Sequence, residues 1–220
     1  MNKKGEYFSS PIYTDYLPEL LQPLIKFTDE VLEVEKKTQK DTYINSKRNR
    51  SFKEHEITDH GWVYHSGSLL NYKEVSTLSQ KILLNSFDIL DEQGYELKDY
   101  KLYFNEFWVQ EFSNLGGGSH DTHIHGNSHI SGFYFLKCSE KTSYPVFHDP
   151  RQSKLMCQLP EKNENNPTLA NERISVFPKP GILLMFNSYL PHEFVVDNGI
   201  EPFRFIHFNI QAIKNHEQLY

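Results

Sequence analysis

His123-Ile124-His125-Gly126-Asn127-Ser128-His129-Ile130-Ser131-Gly132-Phe133-Tyr134-Phe135-Leu136 is the stretch on which the reading of this chain turns. Its second half, Ile130 to Leu136, reads as a strand, and alternate residues of a strand share a face. Extended backbone through His123 and His125 therefore puts two imidazoles on one side, close enough to share a metal ion. A third, His192, stands far downstream in another strand-like stretch. Three such ligands form a facial set and leave the opposite side of the metal open. Imidazole-rich sites with open positions suit iron, zinc, copper or nickel, so the ligands point to a metal without naming it. Idle, the same pair would cost desolvation when buried and repulsion when protonated. Asp121 is an alternative third ligand, since positions 121, 123 and 125 face one way if the strand extends that far.

Working outward, the texture is β from Tyr95 onward. Tyr100 to Phe112 alternates and is rich in aromatics until Gly116-Gly117-Gly118 breaks it. Tyr144 to Phe147, Gly181 to Phe186 and Arg204 to Ala212 read as further strands. Asp149-Pro150 opens a long polar loop that runs through Glu161 to Asn171. The N-terminal part looks helical. One helix is expected from about Tyr16, with Asp15 as its N-cap, ending in the charged stretch Glu33 to Lys40. A polar loop, Thr38 to Ile57, follows. A second helix is expected from about Tyr72 to Gln93, where Val75, Leu78, Ile82, Leu83, Phe87 and Leu90 recur at helical spacing before Gly94. The economical organisation is one domain over residues 1–220, with a largely helical support at 1–94 and a β core at 95–220.

Composition narrows the function classes. The 220-residue chain is 14% aromatic, which supplies large packing surfaces for a core. A formal net charge of -6 argues against a nucleic-acid-binding surface as the main business. Lys47, Arg48 and Arg50 make one small basic cluster, read as a solvated loop. Two cysteines, Cys138 and Cys157, with no CxxC, fit a reducing compartment and exclude a cysteine-built zinc finger. No run is long enough to span a bilayer and Met1 to Pro11 lacks an apolar signal region, so a soluble, cytoplasmic protein is expected. Of the remaining histidines, His55, His60, His65, His120, His148 and His216 are read as surface residues.

The order of motifs closely resembles a family of 2-oxoglutarate- and iron(II)-dependent oxygenases of bacteria and tailed phages. That family usually shows HxHP, then SG(V)YY, then F-x-DPR. Here the corresponding residues are His123-Ile124-His125-Gly126, Ser131-Gly132-Phe133-Tyr134-Phe135 and Phe147-His148-Asp149-Pro150-Arg151. The likeness takes in Phe8-Ser9-Ser10-Pro11-Ile12-Tyr13 and Gly61-Trp62 as well, so it covers essentially the whole chain. It departs from the family at Gly126, where relatives carry proline. The resemblance implies a mainly β fold with flanking helices, a double-stranded β-helix or jelly roll, with the metal at the barrel mouth. It implies iron(II) on His123, His125 and His192, with 2-oxoglutarate and O2 as co-substrates. The far carboxylate of 2-oxoglutarate needs a fixed cationic fork, which arginine supplies bidentately. Arg204 lies 12 positions after His192, where such family arginines lie. Tyr134 is a second candidate contact to that carboxylate, and Arg151 a runner-up anchor with a turn-stabilising role as its alternative. Two rivals stand beside this reading: a three-histidine dioxygenase that needs no 2-oxoglutarate, and a non-catalytic binding protein on the same barrel. A use for Arg204 separates the first rival from the oxygenase.

Overall fold

The computed structural model describes residues 8–45, 61–157, 159–163 and 166–215. The basic cluster at 47–50, His55, His60 and His216 lie outside them. Two sheets face each other, and two helices cover the outer side of the larger sheet. In chain order the elements are β1 (Ile12–Tyr16), α1 (Leu21–Asn45), β2 (Val63–His65), α2 (Ser76–Glu92), β3 (Tyr100–Phe112), β4 (His120–His123), β5 (Ile130–Lys137), β6 (Pro145–His148), β7 (Arg173–Ser175), β8 (Ile182–Asn187), β9 (His192–Phe194) and β10 (Arg204–Lys214). The large sheet runs β1-β8-β5-β10-β3-β2 and the small one β4-β9-β6-β7. Every recorded pairing is antiparallel. This is the jelly roll that the motifs imply.

Strand alternation sorts the side chains into two cores. On β10, Ile206, Phe208 and Ile210 point outward to the helices with Leu24, Phe27, Leu78 and Ile82. Phe203 and Phe205 point inward and meet Phe112, Phe133, Phe135, Phe147, Phe186 and Phe194 between the sheets. Several of the rings meet edge to face, as with Phe133 and Phe194 at 4.9 Å, while Phe194 stacks on Phe205 at 4.8 Å. The lower half of the barrel is thus a packed phenylalanine interior and not an open cavity.

The N-terminal expectations need two corrections. The chain from Ile12 to Tyr16 is a strand, paired with β8 from Phe186 to Ile182. Asp15 is therefore no helix cap; its Oδ1 accepts the Tyr16 N–H at 2.8 Å. A 3-10 turn, Pro18–Leu20, leads into α1, which runs on through residues expected to be loop. The second helix is as expected, a 3-10 turn at Lys73–Val75 followed by α2, with Gly94 at φ 88° after it. Phe87, counted in its apolar stripe, is exposed. The N-terminal part thus contributes two strands, β1 and β2, to the large sheet as well as its helices.

Gly132 has a clear task. A Cβ there would lie 2.3 Å from the Leu184 carbonyl oxygen and 2.4 Å from the Phe208 ring. The missing side chain lets Phe208 close down on the β5–β8 pair. Gly132→Ala is expected to lower stability by at least about 1–3 kcal/mol, the usual range for overpacking, because backbone carbonyl is the obstacle. Urea unfolding measures it, and an unchanged midpoint would show that Phe208 moves aside freely.

Candidate metal centre

β4 ends at His123 and β9 begins at His192, and these two residues are paired across the small sheet. His125 follows two residues after the end of β4, its backbone N–H donating to the Ser188 carbonyl at 3.0 Å. The His123 and His192 rings are 4.5 Å apart, and the His123 and His125 rings 5.0 Å. Ligand atoms of His123, His125 and His192 lie within 4.8 Å of one another. Asp121 is exposed on β4 and supplies its backbone carbonyl to the site: the oxygen accepts from His123 Nδ1 at 2.6 Å. Its carboxylate is in neither of the candidate ligand groups among the described residues.

Hydrogen bonds set two of the three tautomers. A carbonyl only accepts, so His123 carries its proton on Nδ1 and leaves Nε2 with a lone pair. His192 does the same, donating from Nδ1 to the Leu190 carbonyl at 3.0 Å. Backbone oxygens behind imidazoles fix ring orientation in this way in metal sites generally. His125 is wired differently. Its Nε2 lies 3.3 Å from His192 Nε2, and its Nδ1 lies 3.0 Å from the Asn209 amide nitrogen.

Burial makes these rings reluctant to protonate. Loss of solvation holds His192 down to about 3 and His125 to about 3, with nearby imidazoles adding to the effect. Neutral imidazole is the metal-binding form. These folded values lie below the roughly 6.5 of an unfolded-chain histidine, so the unfolded chain takes up protons first. Metal-free protein therefore keeps this stability above about pH 6.5 and loses it as the pH falls toward the folded values. For fully buried His192 the slope is about 1.4 kcal/mol per pH unit. Urea unfolding of chelator-treated protein at pH 7, 6 and 5 tests this, and a flat profile would contradict buried, neutral imidazoles.

Further polar side chains surround the trio. His120, read from the sequence as a surface residue, is half-buried beside His123 at 6.0 Å and hydrogen-bonds Gln110. His207, Asn209 and Glu106 sit at the same mouth. His207 is buried and donates to Glu106 Oε2 at 3.2 Å. That hydrogen bond is the first cause holding the Glu106 carboxyl below its usual range. The Trp108 ring lies 4.5 Å from that of His207. The signal for His207 and Asn209 was present in the sequence, because both share the strand parity of Phe205.

Arg204 and Tyr134 are not at this mouth, which corrects their assignment as 2-oxoglutarate contacts. Both occupy outward positions of their strands. Arg204 donates from Nε to Glu111 Oε2 at 2.6 Å and from Nη1 to Asp29 Oδ1 at 2.6 Å, beneath α1. The Tyr134 hydroxyl donates to the Leu17 carbonyl at 2.7 Å, also on the helix side. Arg204 is the only arginine or lysine buried among the described residues. The metal-ligand set thus fits iron(II), whereas the residues assigned to 2-oxoglutarate do not fit that role. Arg151 is spent on the Asp149 carboxylate, with Nε at 2.9 Å and Nη2 at 2.8 Å, so the Asp-Pro-Arg segment is a stapled turn. That turn borders a surface groove with Ser9, Pro11 and Leu190.

Comparison with known proteins places these features. No curated protein matches the sequence. Solved structures share the fold at low identity. AviO1 from Streptomyces viridochromogenes Tue57 superposes with a TM-score of 0.58 at 11% identity, covering 92% of this chain and 90% of that one. A prolyl hydroxylase from Trichoplax adhaerens, solved with a hypoxia inducible factor peptide, gives 0.50 at 12% identity, covering 90% and 82%. No helix among the described residues is long and apolar enough to cross a membrane. Phe8–Tyr13 and Gly61-Trp62 lie outside the matched segment, but residues 106–209, which carry His123, His125, His192 and the inner face of β10, match the family model described as "Putative 2OG-Fe(II) oxygenase", whose cofactors are iron(II) and 2-oxoglutarate, and over that segment the family named from the motifs is borne out.

Proposed function

We propose that this chain is an oxygenase that holds iron(II) on His123, His125 and His192 and hydroxylates an organic substrate. Oxidation of 2-oxoglutarate to succinate and carbon dioxide is the coupled half-reaction. The observation that carries the reading is the convergence of the three imidazoles within the matched segment. Iron(II), when bound, supplies open coordination positions for small ligands. The chain's own contribution is orientation and dryness. Leu190 and Asp121 carbonyls aim the His192 and His123 rings, and Phe133, Phe147 and Phe186 pack around His192 on its barrel side. A cytoplasmic location belongs to the same proposal, on the two cysteines without a CxxC pair.

The test is anaerobic titration of the iron-loaded protein with 2-oxoglutarate, followed by oxygen and measurement of succinate. Saturable binding and succinate release are expected. Iron-loaded protein that binds no 2-oxoglutarate would overturn the coupled reaction. One observation favours a second reading, a three-histidine dioxygenase without 2-oxoglutarate: Arg204, the residue meant to separate the two, is occupied by Glu111 and Asp29. Substrate-dependent oxygen consumption indifferent to added 2-oxoglutarate would decide for it.

A further inference from the structure

The wiring of His125 leaves something unexplained by a single metal. Its Nε2 looks toward His192, while Nδ1 looks the other way, into a second cluster. There Asn209 Nδ2 lies 3.0 Å from His125 Nδ1 and 2.6 Å from Glu106 Oε2. His207 Nε2 lies 3.2 Å from that same carboxylate oxygen. Ligand atoms of Glu106, His125 and His207 all fall within 4.8 Å of one another. The carboxylate and the His125 lone pair both converge on one amide NH2 group. That is an arrangement of electron pairs suited to a cation.

A conflict sharpens the point. To ligate through Nε2, His125 must present a lone pair there, and an Nδ1–H would then need an acceptor. Asn209 would have to turn its Oδ1 to His125, which also sets that oxygen against the Glu106 carboxylate. Two adjacent acceptors repel unless positive charge stands between them. A second metal ion removes the conflict. The amide can turn without breaking its support, because Ser131 Oγ, 2.6 Å from Asn209 Oδ1 and 2.8 Å from Ser188 Oγ, both donates and accepts.

We infer that the barrel mouth has a second divalent transition-metal position, formed by Glu106, His207, the Asn209 carbonyl and His125 Nδ1. His125 is shared with the proposed three-histidine centre through its two ring nitrogens. Histidine, carboxylate and amide oxygen together suit first-row ions such as iron(II), cobalt(II) or zinc. With both ions bound, His125 has lost its ring proton to solvent. The inference rests on the three-histidine reading for the ion on the far side of His125, and stands apart from it for Glu106 and His207.

Anaerobic cobalt(II) titration of the metal-free full chain, read by visible absorption and bound-metal analysis, tests it. Wild type is expected to bind two equivalents, and Glu106→Gln, His207→Ala and His123→Ala one each. Glu106 has a half-exposed side chain, so its isosteric variant keeps the test independent of any misfolding in His207→Ala. Two equivalents retained in both Glu106→Gln and His207→Ala would overturn the second position. So would a single wild-type equivalent lost only in His123→Ala, a result that leaves the three-histidine centre standing. A single equivalent lost in Glu106→Gln but kept in His123→Ala would support the Glu106–His207 position and sink the three-histidine centre.

Discussion

His192→Ala is expected to empty the three-histidine centre of iron(II), leaving at most the one equivalent of the Glu106–His207 position, and with it to abolish all oxygen-dependent activity. The residue is fully buried, its Nδ1 is tied to the Leu190 carbonyl, its Nε2 lies 3.3 Å from His125 Nε2, and its ring is 4.5 Å from that of His123. Loss of a mere supporting partner costs a metal site roughly 10–100-fold in affinity, so loss of a ligand should exceed about 100-fold. Anaerobic iron titration with chelator competition gives the number. His123→Ala should behave alike, since the same kind of carbonyl contact aims its ring. Full iron content in both variants would remove the centre. Iron kept in His125→Ala would assign that ring to supporting the other two.

Arg204→Ala is expected to damage the fold and spare the metal. The guanidinium joins β10 to Glu111 on β3 and Asp29 on α1, and the Arg204 and Glu111 side chains are only 4% and 5% exposed. Removing one member of a buried pair strands the other's charge, at about 3–5 kcal/mol. Lys36 also pairs with Glu111 and partly compensates, which places the expectation at the lower end. For a chain of this size that corresponds to a fall in Tm of roughly 6–12 °C. Iron stoichiometry should match wild type. Unchanged Tm together with lost 2-oxoglutarate affinity would restore Arg204 as the co-substrate anchor.

The misreading of Arg204 shows where sequence reasoning reached its limit. An arginine flanked by Phe203 and Phe205 does need a buried anion, but the anion is the protein's own Glu111. Parity held the clue: residue 204 faces opposite to 203 and 205, whose phenylalanines fill the interior. The histidine trio was legible because its chemistry is carried by residue type and order. Glu106 was not, because nothing local on β3 marks it: it joins the mouth only through the pairing of β3 with β10, opposite Asn209. Tyr100–Phe112 was read to the residue, since aromatic alternation and the glycine run mark both ends. Ile12–Tyr16 was not, because its partner strand lies some 170 residues away in the register Ile12 to Phe186 and nothing local distinguishes it from a helix lead-in.

The placement of Trp108 gives the molecule an optical readout of its own. The chain has two tryptophans, Trp62, stacked on Tyr64 at 5.6 Å, and Trp108, in contact with His207 at the mouth. An indole that close to a paramagnetic ion loses its emission, while one stacked elsewhere does not. Ion uptake next to His207 should therefore dim one of two emitters, and Trp108→Phe should leave a steady glow from Trp62 that no added metal changes.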